Sequence, residues 1–168
     1  MRKKSTSSIE MIPSLLTSLF LFSQIICGIY YLPFINQIPL FAYIGVGLYI
    51  FSGLIFGMLP VFEFRKKGRV AKGKSYIHTT KLVDTGIYSI VRHPQYITFI
   101  LWSVAGMFLF QQWIVILLGI PIIPLTYLDL IQADKEGIKK FGDDYKQYMQ
   151  RVPRANIFLG LIRRIHDK

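Results

Sequence analysis

Asp84-Thr85-Gly86-Ile87-Tyr88-Ser89-Ile90-Val91-Arg92-His93-Pro94-Gln95-Tyr96 is the stretch on which the reading of this chain turns. A basic segment precedes it and an uncharged apolar run follows, so it belongs where water meets membrane. Asp84-Thr85-Gly86 has the composition of a turn. Pro94 suits the first turn of a helix, where a missing N–H costs nothing. Arg92 and His93 therefore fall just before a helix N-terminus. Its free N–H groups and partial positive charge favour an anion. Arg-His-Pro at a membrane surface is the feature the other segments must explain.

Outward from this stretch, charge is confined. Hydrophobic residues make up 52% of the 168 residues and charged residues only 17%, unusual for a soluble domain. No charge lies from Met11 to Phe62 or from Pro94 to Leu128. A span needs ~20 mostly apolar residues. The expectation is an all-α, polytopic membrane helical bundle of about four transmembrane helices with a small cytoplasmic C-terminal helical cap, forming a single domain over 1–168. The spans fall at about 13–34, 40–62, 94–110 and 113–131. Residues 63–93 form a cytoplasmic loop, and 132–168 supply cytoplasmic and interfacial helices.

The formal charge of +11 invites a nucleic-acid reading, but its placement opposes one. Lys and Arg cluster at Arg2, Lys3 and Lys4, between Arg65 and Arg92, and between Lys135 and Lys168. The alternate turns, near Asn36-Gln37 and Gln111-Gln112, are uncharged. Cytoplasmic loops collect basic residues, so both termini, the central loop and the functional end of the molecule are expected on the cytoplasmic side. The basic start and apolar core have the layout of a secretion signal. Glu10 and Pro13 interrupt it, however, and the run to Phe34 is too long for a signal core. The polar start, Met1 to Glu10, is expected to be disordered. The single cysteine, Cys27, allows no internal disulfide and reads as a buried, inert thiol.

Other features bear on packing. Gly45, Gly53 and Gly57 lie near one face of the second span. Small residues let helix backbones approach closely, and packing within the chain is expected over an oligomer contact. The basic loop from Glu63 to Lys81 is expected to lie against anionic headgroups. Pro121 and Pro124 should kink the fourth helix; a kink can open a lateral gap for a lipid tail, but prolines are common in membrane helices and the plain kink is the favoured reading. After Asp129, apolar residues recur at helical spacing, and Phe141-Gly142-Asp143-Asp144 should break the helix. Ile157, Phe158, Leu161, Ile162 and Ile165, opposite Arg163, Arg164 and Lys168, predict a small interfacial helix.

On the residues alone, His93 can be a base, a metal ligand or a pocket residue. His78 and His166 lie in surface segments away from ligand spacing, so no metal site is expected. A structural turn histidine and an anion-binding one stand equal. Arg92 either snorkels to lipid phosphate or pairs with a ligand carboxylate. Tyr88 and Tyr96 also fit an interfacial belt.

Gly86-x-Tyr88-x-x-x-Arg92-His93-Pro94-x-Tyr96, two spans, then Phe141-Gly142-x-x-Tyr145-x-x-Tyr148-x-x-Arg151-Val152-Pro153 resembles the isoprenylcysteine carboxyl methyltransferase family. Membrane phospholipid methyltransferases share much of this pattern. The resemblance covers roughly Lys81 to Arg164. It implies an integral membrane methyltransferase that uses S-adenosylmethionine on a lipid-like or prenylated acceptor, carboxylate or amine. Carried over by motif, the cofactor contacts are Gly86, Tyr88, Arg92, His93, Pro94, Tyr96, Asp134, Phe141, Gly142, Tyr145 and Tyr148. The catalytic candidates are His93, Arg92 and Asp134. The family's Glu-Glu pair before Phe-Gly is here Ala133 and Asp134, so Asp134 keeps one carboxylate, toward a cofactor ribose or the sulfonium end. Glu136 is out of register, and the last turns of the fourth span lack the arginine that prenylcysteine enzymes carry. Two other readings stay open: an NADPH-dependent membrane sterol or steroid reductase, which shares Arg-His-Pro-x-Tyr, and a non-catalytic lipid-binding membrane protein. Transport is disfavoured, because spans without a buried charge have little to couple an ion to.

Overall fold

The computed structural model describes residues 8–34, 38–68 and 79–166, and these are helical throughout apart from turns and links. In order, the helices are α1 (Ser8–Tyr31), α2 (Pro39–Ser52), α3 (Leu59–Lys67), α4 (Pro94–Phe110), α5 (Trp113–Gly119), α6 (Ile122–Phe141), α7 (Asp143–Arg151) and α8 (Ile157–His166). Short 3₁₀ turns occupy Leu32–Phe34 and Gly86–Ser89. Among the described residues, Met11–Tyr31, Pro39–Lys67 and Trp113–Phe141 are long and apolar enough to cross a membrane, and Pro94–Phe110 is a shorter apolar helix. The chain is a polytopic helical membrane protein.

Prolines account for the irregular turns. A wide π-helical turn, Gly53–Met58, joins α2 to α3, with the Leu59 N–H bonded to the Leu54 carbonyl. Pro60 follows directly, and its ring would clash with the carbonyl four residues back in a regular helix. The expected kink at Pro121 is a break: α5 ends at Gly119 and α6 begins at Ile122. Beside it, Ile100, Ile123, Pro124, Tyr127 and Leu128 line an open apolar groove of about 490 Å³.

Several boundaries differ from the sequence expectations. The helix expected to end at Phe62 continues to Lys67, so Arg65 and Lys66 lie on its last turn rather than in a loop. Basic side chains there oppose the helix dipole, and Lys67 pairs with Glu63 at 2.7 Å. Arg69, Lys72, Lys74 and His78 lie outside the described residues, as do Met1–Ser7 and Asn36-Gln37. Ser8–Glu10 are helical, not disordered. Cys27 is half-buried rather than buried. Pro124, also expected to kink the helix, falls in the first turn of α6, where a missing N–H costs nothing, and the helix runs unbroken to Phe141.

The chain forms two compact units. The first comprises Met1–Ile50 and Phe99–Gln132, and its polarity is inverted relative to a soluble domain. Leu15, Leu19, Phe22, Ile26 and Ile29 form an outward stripe along α1 at helical spacing. Thr17 and Gln24 are buried instead. Gln24 Nε2 donates to the carbonyls of Ser103 and Val115 at 3.0 and 3.1 Å. Asp129, also buried, accepts from Ser14 Oγ at 2.7 Å and Thr17 Oγ1 at 3.3 Å. The expectation of spans without a buried charge is thus corrected at Asp129, which lies just beyond the uncharged run. In hydrocarbon each polar group must find a protein partner, and these ties do so between helices.

The second unit comprises Phe51–Thr98 and Ala133–Lys168. Its core is Tyr145, Tyr148 and Val152, flanked by Leu82, Ile138, Phe141 and Met149. Gly86 (φ +64°) and Gly142 (φ +60°) take left-handed conformations at its turns, which glycine adopts without steric cost. Gly142 is the expected break between α6 and α7.

Gly45 shows the within-chain packing expected of the second span. A Cβ there would lie 2.6 Å from the Leu109 nitrogen and 2.8 Å from the Ala105 carbonyl, whereas one at Gly47 would meet nothing. Gly45→Ala should therefore destabilise by about 1–3 kcal/mol through overpacking. Thermal unfolding in detergent should show a lowered Tm for Gly45→Ala and an unchanged one for Gly47→Ala.

Candidate functional site

The second unit brings chemistry-bearing side chains from three segments onto one carboxylate of a fourth. Asp134 sits on α6 and is 3% exposed. Its Oδ1 accepts from His93 Nε2 at 2.7 Å and from Tyr145 Oη at 3.0 Å. Its Oδ2 accepts from Arg92 Nη2 at 3.1 Å and Arg154 Nε at 2.7 Å. A carboxylate offers about four acceptor positions, so Asp134 is saturated by the protein. Arg92 is nearly as buried, and its Nε and Nη1 have no hydrogen-bond partner among the described residues.

Backbone contacts hold these groups. The N–H groups of Arg92 and His93 donate to the carbonyls of Pro153 and Arg154 at 3.1 and 3.3 Å. The Arg-His segment is thereby fastened to the link after α7. Pro94 starts α4, fully buried. On α6, Gly137 leaves room for the Tyr145 ring, which a Cβ would strike. On α7, Tyr148 donates to the Tyr88 carbonyl at 2.6 Å, and Tyr88 stacks on Phe64 with ring centroids 4.5 Å apart.

Of the expected site residues, Arg92, His93, Asp134 and Tyr145 meet directly. Tyr96 adjoins them, its ring edge-on to His93 with centroids 5.9 Å apart. The others stand behind. Phe141 stacks on Tyr145 at 6.5 Å. Gly86 lies against the Glu63 carboxylate, where a Cβ would collide. Gly142 turns the chain, Pro94 starts α4, and Tyr88 and Tyr148 form the buried bond just described. Arg154 was not anticipated. Its one signal in the sequence is a second arginine beside a proline, in Pro153-Arg154. Among the described residues no His, Cys, Asp and Glu group could hold a metal.

Electrostatics follow from the burial. Desolvation holds the His93 pKa below the usual histidine value, against the opposing pull of Asp134. The two guanidinium groups already balance that carboxylate, which leaves the imidazole little reason to charge. The neutral ring then carries its proton on Nε2, because the carboxylate it faces can only accept. Burial, and then the nearby Asp134 charge, push the Tyr145 phenol above its usual range. Burial does the same for Tyr148. Both phenols stay protonated and donate. Within the cluster, two guanidiniums against one carboxylate leave one positive charge over. The arrangement can accept an anion.

Fold and site together define a class: a polytopic helical membrane protein with a buried, arginine-clamped carboxylate beside an Arg-His-Pro turn. Comparison with known proteins narrows the class. Residues 69–137 match the model of the isoprenylcysteine carboxyl methyltransferase (ICMT) family. This segment includes Arg92, His93 and Asp134 but stops short of Tyr145 and Arg154. The chain is 30% identical over 104 residues to protein-S-isoprenylcysteine O-methyltransferase B of Arabidopsis thaliana, covering 56% of this chain and 53% of that protein. It is 30% identical over 98 residues to protein-S-isoprenylcysteine O-methyltransferase of Schizosaccharomyces pombe, covering 53% of this chain and 42% of that protein. The chain spans about half the length of the curated relatives it matches. No solved structure matches it. The matched segment is similar to the ICMT family, and it contains the first of the two motif blocks that carry the resemblance.

The depressed His93 pKa has a signed consequence. Folding favours the neutral ring, so its contribution is fully present above about pH 6.5, the unfolded value. It is lost as pH falls through the lower folded value. The Tm in detergent should therefore decline on acidification from about pH 6.5. His93→Gln should lower the Tm at neutral pH yet flatten that acid slope. Equal slopes in the two proteins would mean that another group titrates.

Proposed function

We propose that this protein is an integral membrane S-adenosylmethionine-dependent methyltransferase acting on a prenylated or lipid-like acceptor. The observation that carries the reading is Arg92, a buried guanidinium with Nη2 on Asp134 and two further nitrogens, Nε and Nη1, unpartnered among the described residues. A planar guanidinium fork suits a carboxylate, held bidentately, and the methionine end of the cofactor carries one. Tyr96 and Tyr145 offer aromatic faces of the kind that attract a sulfonium cation. When bound, the cofactor supplies an electrophilic methyl group. The protein's own task is then to orient, to exclude water and to place donors beforehand.

In this reading Arg92 and His93 contact the ligand. Asp134 and Arg154 are positioning residues, because every acceptor position of Asp134 is taken by the protein. The relatives' names, isoprenylcysteine O-methyltransferases, direct the acceptor assignment to a carboxylate on a prenylated cysteine. Such a group is already ionised at neutral pH (reference pKa ~4) and needs no base. A neutral His93 is compatible with that chemistry. Clustering of basic residues at Arg65–Lys67 and beyond Lys135 supports cytoplasmic placement of the site and both termini.

Calorimetric titration of S-adenosylhomocysteine into detergent-solubilised protein, with NADPH in parallel, tests the reading. The first should bind and the second should not. Arg92→Gln should weaken binding roughly 10- to 100-fold, the worth of charge-assisted hydrogen bonds to a buried carboxylate. NADPH binding alone would turn the assignment to a reductase. Binding of neither by folded protein would leave a non-catalytic lipid-binding protein. Methyl transfer to a farnesylated cysteine with a free carboxylate, set against a lipid amine, then identifies the acceptor.

A further inference from the structure

Helix α8 is attached to the second unit by its small and basic side. A Cβ at Gly160 would collide with the Ile90 carbonyl, so backbone packs on backbone there. Asn156 Oδ1 accepts from the Leu159 N–H at 3.0 Å, capping the helix. Arg163 Nη1 donates to the carbonyls of Gln150 and Arg151, at the end of α7, at 3.2 and 3.5 Å. The apolar side is thereby turned outward. Phe158, Leu161, Ile162 and Ile165 recur at three- and four-residue intervals, with Phe158 82% and Ile165 73% exposed. An amphipathic helix in a soluble domain packs the other way, apolar stripe to the core.

Next to this helix lies a pocket of about 220 Å³ whose lining includes Asp84, Ser89, Arg151, Arg163 and Arg164. Three arginines and one carboxylate line it. Arg151 reaches Asp84 at 3.4 Å, a long contact between exposed groups, and such pairs are weak. Arg163 is engaged by neutral carbonyls, which leave its charge uncompensated. Arg164 makes no ion pair among the described residues. Positive charge and a neighbouring outward apolar stripe thus occur together in a chain that crosses a membrane.

We propose that this pocket binds the phosphate of an anionic phospholipid of the host membrane, whose acyl region covers the outward face of α8. Arginine forks match phosphate oxygens in geometry and charge. The volume suits a headgroup phosphate and not a whole lipid, which leaves the chains for Phe158 and Ile165. Neutral phospholipid offers the same acyl surface but no net charge to answer the arginines. Asp84, Arg151, Arg163 and Arg164 make no bond to Asp134, although Tyr148, an expected cofactor contact, also lines the pocket.

The test places a nitroxide at Phe158→Cys in a Cys27→Ser background, with the full chain in nanodiscs of phosphatidylcholine or of phosphatidylcholine with phosphatidylglycerol. The expected result is immobilisation and oxygen accessibility that rise with the phosphatidylglycerol fraction. Arg163→Gln/Arg164→Gln should need a several-fold higher fraction for the same effect. Arg164→Glu alone, which removes no capping contact, should abolish the response if the double variant folds poorly. Three outcomes would overturn the proposal. In the first, inorganic phosphate reproduces the response in neutral nanodiscs, which would make this a soluble-anion site. In the second, the label is water-exposed in every membrane. In the third, spin–spin broadening reveals a second copy of the chain on this face.

Discussion

One buried carboxylate holds the second unit together. Asp134 receives hydrogen bonds from the Arg-His turn, from α7 and from the link beyond it. These segments lie far apart in sequence, and each contributes a donor whose alternative is an unpaired polar group out of water. Such a group costs several kcal/mol when stranded. Removing one partner of a buried ion pair commonly costs about 3–5 kcal/mol, so the cluster tolerates little rearrangement. The Tyr148–Tyr88 bond and the backbone pairing of Arg92 and His93 with Pro153 and Arg154 act in the same direction. They deliver the donors to Asp134 already oriented.

This saturation divides the labour within the site. Every acceptor position of Asp134 is taken by the protein, while Arg92 keeps two buried nitrogens, Nε and Nη1, without a hydrogen-bond partner among the described residues. The buried cluster therefore carries a net positive charge and spare donors although a carboxylate sits at its centre. Preorganised donors in a water-poor site act on a bound anion without reorganising. Neutral His93 and the protonated phenol of Tyr145 add dipoles without adding charge. The same low dielectric that makes the cluster costly to break makes its remaining donors effective.

The first unit obeys a different constraint, set by hydrocarbon rather than by water. Its large apolar side chains point outward and its polar ones inward, with Gln24 and Asp129 each tying helices through groups that lipid cannot satisfy. Hydrogen bonds of this kind contribute only about 0.6–2 kcal/mol each, so close backbone approach at residues such as Gly45 supplies the remainder through dispersion. Asp129 belongs to this scaffold. It lay one residue beyond the uncharged run from Pro94 to Leu128, where a boundary reading takes it for the start of the aqueous segment.

Sequence by itself determined the helical membrane class, because long uncharged runs admit no other way of satisfying the backbone in lipid. It also determined the family likeness, the helix start at Pro94 and the break at Gly142, since proline and glycine act locally on φ and on the N–H inventory. The tyrosines of α7 were legible as a group but not by role: nothing in Tyr145-x-x-Tyr148 says that one hydroxyl meets a carboxylate and the other a carbonyl. Asp134 was legible as the remaining member of an acidic pair. That its partners would be Arg92, His93, Tyr145 and Arg154, and that Arg154 belonged there at all, was decided only by tertiary structure. Hydrogen-bond partners separated by 11 to 42 residues are chosen by how helices pack, and a side chain's acceptors can be counted as free or filled only once that packing exists.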